Sequence, residues 1–306
     1  MIVVGGEALI DLVVSFDGSI EAHPGGAPFN VCRTIARLER EAAFLGALSD
    51  DRFGTMLGST LASEGVDLSA VVAVTRPTTI ALVELDESGA ATYQFYAEGT
   101  SAPAVGEAAV GAALQLAPSA LHVGTLGLVL EPLATATKML VDGVNGDVLV
   151  FLDPNCRPTV TTDRGGYLKT VAHCARRADV VKVSDEDLAF LVPGGEAVQA
   201  TRSLLRPGAV GLVTRGADRV TIVTASQTVD VPVPQVTVVD TVGAGDGFGG
   251  AFLAYWDEHG LGRGDVDDLE RVIEGVRFAV HVAAMICERA GADPPRRSEV
   301  EARVTD

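Results

Sequence analysis

Asp240-Thr241-Val242-Gly243-Ala244-Gly245-Asp246-Gly247-Phe248-Gly249-Gly250 decides the reading of this chain. An apolar, β-branched run at 236–239 precedes it and predicts a strand. Ala251-Phe252-Leu253-Ala254-Tyr255-Trp256 follows and predicts a buried helix. Small residues therefore stand where a strand hands over to a helix N-terminus, where unpaired N–H groups and the positive end of the helix dipole gather. Gly243, Ala244 and Gly245 let the backbone approach an anion closely, and Asp246 places a carboxylate in the first turn. A phosphate cradle with a carboxylate beside it suits movement of a phosphoryl group onto a hydroxyl. In that chemistry Asp246 takes the hydroxyl proton, and the cradle N–H groups stabilise the transferring phosphate. Residues 245–250 also spell G-x-G-x-x-G, the mark of a dinucleotide-binding oxidoreductase. The match is poor, because its first glycine falls inside the helix start and no further strand pattern follows it.

Outward from this segment, strand-like and helical patterns alternate. Strands are expected at 1–5, 42–48, 121–124, 147–152, 179–183 and 210–214. Helices are expected at 27–40, 51–65, and onward from Pro132, Asp163 and Asp185. Val31, Ile35 and Leu38 share one helix face, and Phe53, Leu57 and Leu61 another. Such alternation predicts a Rossmann-like α/β fold, a mostly parallel sheet flanked by helices. Segments 12–21 and 78–98 instead alternate polar and apolar residues with period two, and Asp86-Glu87-Ser88-Gly89 is a hairpin turn signal. They predict a small antiparallel sheet, read as a lid that excludes water from the reaction. A further antiparallel patch at 219–233 is expected to extend the edge of the main sheet.

Bulk properties narrow the function classes. The chain has 306 residues, of which 47% are hydrophobic, enough for one large α/β domain. A net charge of −18 argues against nucleic acid or an anionic membrane as partner. No apolar stretch approaches the ~20 residues of a membrane span. Cys32, Cys156, Cys174 and Cys287 have no C-x-x-C spacing, and His23, His122, His173, His259 and His281 form no ligand cluster. Free thiols in a reducing compartment are expected, hence a cytoplasmic location, and zinc is not.

Two motifs, in this order and spacing, make the chain resemble the ribokinase-like (PfkB) carbohydrate kinases over nearly its whole length. The first is Gly25-Gly26-Ala27-Pro28-Phe29-Asn30, continuing through Arg33 to Leu38, then Phe44-Leu45-Gly46 and Asp50-Asp51-Arg52-Phe53-Gly54. The second is Asp240 to Asp246. Within the family the pattern is most similar to bacterial fructokinases, through Gly6-Glu7-Ala8-Leu9-Ile10-Asp11, Thr78 to Thr100, Asp153-Pro154-Asn155-Cys156-Arg157-Pro158 and Arg289-Ala290-Gly291-Ala292-Asp293-Pro294-Pro295. The resemblance implies a single ribokinase-like domain over 1–306 with lid segments 12–24 and 77–100, ATP and Mg²⁺ as cofactors, and a primary sugar hydroxyl as acceptor. It also implies a homodimer through the lid sheet.

Carried over residue by residue, Asp246 is the base, with Gly243, Ala244 and Gly245 as anion hole. Asp11 and Asn30 hold sugar hydroxyls, which a carboxylate and an amide both suit. Gly25 and Gly26 form the lid hinge. Asp153, Asn155 and Arg157 follow the end of another strand, where convergent polar groups mark a ligand site; Arg157 offers a bidentate fork to substrate or γ-phosphate. ATP is expected at Thr214, Arg215, Gly216, Gly243, Gly245 and Gly291, with adenine near 277–284. K⁺ is a further ion the resemblance raises, at Asp240.

One departure is Ser184-Asp185-Glu186-Asp187, where many relatives carry Asn-x-x-Glu. Glu186 or Asp187 can hold a metal-bound water, and Ser184 with Asp187 equally reads as a helix capping box. A second is Thr214 to Arg219, which ends in arginine where the family often has glycine. The expected acceptor is D-fructose, at its 6-hydroxyl. Rivals are 2-keto-3-deoxygluconate, ribose or a nucleoside, an oxidoreductase, and a silent sugar-binding module. Segments 12–21 and 78–98 contain no Lys or Arg, which favours a neutral sugar.

Overall fold

The computed structural model describes residues 1–86 and 91–305. Among them a sheet of eight strands runs, edge to edge, Thr228–Pro232, Arg219–Val223, Val210–Arg215, Val180–Ser184, Leu149–Asp153, Ala120–Gly124, Ile2–Gly5, Ala42–Leu45. The six from Val210–Arg215 onward are parallel. The two at the other edge are antiparallel, as the pattern at 219–233 implied.

Period-two alternation sorts the strand residues between two cores. Ile2, Val4, Phe44 and Phe151 face one core with Phe29, Ile35, Phe252 and Trp256, beneath helices Ala27–Arg37, Ala244–Glu258 and Leu269–Cys287. Val3, Leu45, Leu121 and Leu152 face the other, with Leu140, Tyr167 and Val171 from helices Leu133–Gly143 and Arg164–Ala175. Strand boundaries move by one or two residues from those expected, Leu149–Asp153 and Val180–Ser184 being examples.

The small sheet has the order Ile20–Gly25, Leu9–Val14, Ile80–Leu85, Ala91–Tyr96. Its outer pairs are antiparallel hairpins, and a parallel pairing of Leu9–Val14 with Ile80–Leu85 joins them. Most of the turn expected at Asp86 to Gly89 lies outside the described residues. Leu9 and Ala81 pack on Leu126 of the main domain, while Phe16, Ile20, Tyr93 and Tyr96 stand exposed.

Two expectations need correction. The run 42–48 is not one strand: it breaks at Gly46, where the Phe44 ring occupies the space a side chain would need, into Ala42–Leu45 and Ala47–Ser49. The run 236–239 is not a strand either. Its valines look strand-like, but among the described residues none of them enters a strand pairing. The Val239 and Asp240 N–H groups instead donate to the Cys287 carbonyl at the end of a helix, leaving Val238 and Val239 more than half exposed. The glycine turn is thus fed by an irregular loop.

All four cysteines are free, and Cys32, Cys156 and Cys174 are buried. Among the described residues no helix is long and apolar enough to cross a membrane.

Candidate active site

Helix Ala244–Glu258 starts at Gly243, whose φ of 77° is left-handed. A Cβ there would also lie 2.5 Å from Ala292 Cβ, so glycine alone fits. The Ala244 N–H leans back on the Thr241 carbonyl at 3.3 Å, whereas the N–H groups of Gly243, Gly245 and Asp246 have no partner among the described residues. Open donors at the positive end of a 15-residue helix form a cradle for an anion. Gly247 and Gly250 serve packing: a Cβ on either would strike Ile286 or Thr34. The G-x-G-x-x-G string is therefore a close helix contact, and not a dinucleotide turn.

Asp246 is 9% exposed, and its Oδ2 accepts from Asn30 Nδ2 at 2.9 Å. Asn30 lies in the first turn of Ala27–Arg37, so the two glycine motifs, 216 positions apart, meet through this bond. Asn30 Oδ1 is buried with no partner among the described residues, which leaves an acceptor for a ligand hydroxyl.

Beneath the cradle lies a residue the motifs did not identify. Lys182, 4% exposed, donates to Asp153 Oδ2 at 2.9 Å, and its Nζ sits 3.1 Å from where a Gly245 Cβ would be. Burial pulls its pKa down, but the Asp153 and Asp187 carboxylates outweigh that and hold it in the charged form. Burial pushes Asp153 up to about 6 against the pull of Lys182. Asp153 Oδ1 has no partner among the described residues. The signal for Lys182 was a lone cation in an apolar strand, in a chain with three lysines in all.

The small sheet brings Asp11 to this cluster. Burial, and then the Asp246 charge, raise its pKa to about 6, against His23 and Arg157. Gly25 makes room for it, since a Cβ there would lie 2.0 Å from Asp11 Oδ2. Gly26, with φ 104°, caps Ala27–Arg37 directly after the strand ends. Arg157 Nη1 donates to the carbonyls of Asn155 and Cys156, and its charge acts on both Asp11 and Glu7. Glu7, also missed, is buried and raised to about 7 by burial, although Thr125 Oγ donates to both its oxygens.

Other expected positions flank this centre. Asp240 Oδ1 accepts from Val242 N and Oδ2 from Gly291 N, at 3.0 and 2.8 Å, tying the glycine turn to the Gly291 loop. Thr214 and Arg215 end a strand, Gly216 turns at φ 52°, and Arg215 lies 3.8 Å from Asp185. Glu186 is exposed. Asp187 is buried and completes the capping box with Ser184 while accepting from Cys156 N at 2.6 Å. Among the described residues no group of three or more His, Cys, Asp or Glu side chains forms a metal ligand set. A cavity of about 700 Å³ lies elsewhere, between Leu133–Gly143 and Arg164–Ala175, and is lined by Lys138, Lys169 and Arg176.

Comparison with known proteins identifies the family. The model of the pfkB family of carbohydrate kinases matches residues 1–298. A fructokinase of Rhizobium leguminosarum bv. trifolii is 36% identical over 259 residues, 83% of this chain and 79% of that protein. The structure of Xylella fastidiosa fructokinase with bound ATP has a TM-score of 0.87 and 27% identity, covering 99% of this chain and 98% of that one. Vibrio cholerae O395 fructokinase, in a form with fructose, ADP and calcium ion bound, has a TM-score of 0.84 and 27% identity, covering 98% and 97%. The protein is a sugar kinase and belongs to the pfkB family of carbohydrate kinases.

Proposed function

We propose that the protein is an ATP-dependent fructokinase, transferring the γ-phosphoryl group of ATP to the 6-hydroxyl of D-fructose. One observation carries the reading: Asp246 lies at the mouth of an open N–H cradle, fixed at 2.9 Å by Asn30 and within electrostatic reach of Asp11. In this scheme Asp11 and the free Asn30 oxygen hold sugar hydroxyls, with Asn155 and Arg157 lining the same side. Asp246 accepts the 6-hydroxyl proton as that oxygen forms its bond to the γ-phosphorus. The bond to the bridging oxygen breaks, and ADP leaves with the electron pair. The N–H groups of Gly243, Gly245 and Asp246, with Lys182 below, stabilise charge on the transferring group. Mg²⁺, when bound with ATP, would neutralise phosphate charge, and Glu186 or Asp187 would be the side chains to hold it through water. Thr214, Arg215, Gly216 and Gly291 border the nucleotide, and Asp240 is the candidate neighbour of a K⁺ ion.

Glu7, Asp11, Asp153 and Asp246 crowd one centre that has Lys182 and Arg157 as its cations. Such a field disfavours a carboxylate-bearing acceptor and favours a neutral sugar. The fructokinases among its relatives point the same way.

The chain is read as one domain, 1–306, with a lid from segments 12–24 and 77–100, working in the cytoplasm. The exposed Phe16, Ile20, Tyr93 and Tyr96 on the lid suit a homodimer contact. An ADP-coupled assay with fructose, ribose, 2-keto-3-deoxygluconate and a nucleoside tests the acceptor; fructose is expected to turn over fastest, and no turnover with any hexose ends the reading. Light scattering of the wild type and Phe16→Ser tests the dimer, which a monomeric wild type refutes.

A further inference from the structure

Asn30, Arg33 and Arg37 share one face of Ala27–Arg37 by their spacing. Asn30 grips Asp246. Arg33 Nη1 donates to the Ala292 carbonyl at 2.8 Å. Arg37 Nη1 donates to the Pro294 carbonyl at 2.5 Å and to Asp293 Oδ1 at 2.6 Å. Behind them stands Glu64, just past helix Arg52–Ser63, accepting from Arg33 Nε at 3.2 Å and from Arg37 Nε at 3.0 Å. The three side chains are 11, 13 and 8% exposed. A buried ion cluster is weak support for stability, because desolvating the charges offsets much of their attraction. Its rigid, forked donors are good at fixing geometry. Here they fix the loop 289–295 from outside, while Asp240 holds Gly291 from inside at 2.8 Å. Between these grips, Ala292 presses on the Gly243 turn so closely that a Cβ on Gly243 would lie 2.5 Å from its own.

We propose that Arg33 and Arg37, braced by Glu64, are positioning residues that set loop 289–295 against the Gly243 turn and thereby hold the phosphate cradle in its ATP-binding shape. The inference rests on reading that turn as the nucleotide cradle. The helix that orients the catalytic carboxylate then also shapes the nucleotide side, so both halves of the reaction are referenced to one rigid element.

The test measures ATP affinity by calorimetry, and kcat and KM for both substrates, with Mg²⁺ present. Arg33→Met keeps the apolar stem and loses the donors. It is expected to raise KM and Kd for ATP by about 10- to 100-fold, as misplacement of a binding wall does. KM for the sugar should move by less than about twofold, since that side keeps its contacts. Arg33→Lys, which retains one donor toward Ala292, should recover most of the ATP affinity. Ala292→Gly, on the loop itself, should weaken ATP in the same direction without burdening the fold. A folded Arg33→Met with unchanged ATP affinity overturns the inference, even if its melting temperature falls. If that variant does not fold, unchanged ATP affinity in Ala292→Gly overturns it instead. Wild-type protein that fails to bind ATP would sink the cradle reading itself, a separate result.

Discussion

Asp179 and Asp153 are both buried carboxylates facing cations, one just before and one at the end of neighbouring strands of one sheet. Asp179 precedes Val180–Ser184, at the N-terminal edge. Its Oδ2 accepts from Val150 N at 2.8 Å and Arg177 Nη1 at 2.9 Å; its Oδ1 accepts from Arg263 Nε at 2.8 Å and from Arg206. Asp153 ends its strand at the C-terminal edge, with one oxygen on Lys182 and the other without a partner among the described residues. A carboxylate has about four acceptor positions. Asp179 has filled them with protein and acts as a staple. Asp153 and Lys182 keep unused capacity at the edge where ligands of open α/β sheets bind. Unspent hydrogen-bonding capacity at a buried charge separates a site from a strut more sharply than burial or charge alone.

Substitutions at the two kinds of position should behave differently. The largest effect is expected at the open edge. Asp246→Asn should lower kcat by about 10²–10⁴-fold, the usual worth of a general base, with ATP binding retained. Near-native turnover in the coupled assay would remove Asp246 from the chemistry. Lys182→Met should lower kcat by about 10²–10³-fold, the loss of one preorganised donor. Asp179→Asn should do the reverse: a loss of about 3 kcal/mol in denaturant unfolding, at the low end for a broken buried pair because its arginines reach solvent, with kcat and KM of the folded enzyme unchanged. Equal kinetic losses at both positions would erase the distinction.

Two further carboxylates test the same idea by pH. Asp11 has a raised pKa of about 6, burial being the main cause. Its contribution to stability is present below the unfolded value near 3.9 and is lost as pH rises toward 6. Asp11→Asn should therefore melt higher than wild type at pH 8, by about 2 °C or more, and not at pH 3, while binding the sugar far less well. Asp51 is the opposite case. Burial raises its pKa, but hydrogen bonds from Thr78 and Gly54 prevail and lower it to about 2. Its contribution is present above the unfolded pKa and is lost as pH falls toward 2. Asp51→Ala, which removes the cap of Arg52–Ser63, should cost about 1 kcal/mol at pH 7, the smallest of these effects, and less in acid. Calorimetric melting across pH gives both signs.

Much of this was legible in sequence, and what was not shares a cause. The alternation of strands and helices follows from local periodicity, and the cradle follows from small residues and an acid confined to seven positions. Lys182 gave only a local oddity, because its meaning depends on Asp153, 29 positions earlier, reaching it from the adjoining strand. The Arg33 and Arg37 clamp likewise requires Glu64 and a loop more than 250 positions away. The valines at 236–239 misled because β-branched residues report a preference for an extended backbone, while the N–H groups of Val239 and Asp240 bond to a helix end and not to a strand.

The scarcity of lysine has a practical consequence. Amine-directed reagents meet two accessible side-chain targets, Lys138 and Lys169, both on the rim of the same 700 Å³ cleft. Coupling to a sensor surface through lysine side chains therefore tethers molecules by one patch, the α-amino group of Met1 being the other amine such reagents meet. The third lysine is shut beneath the glycine turn and should stay unmodified in the folded protein.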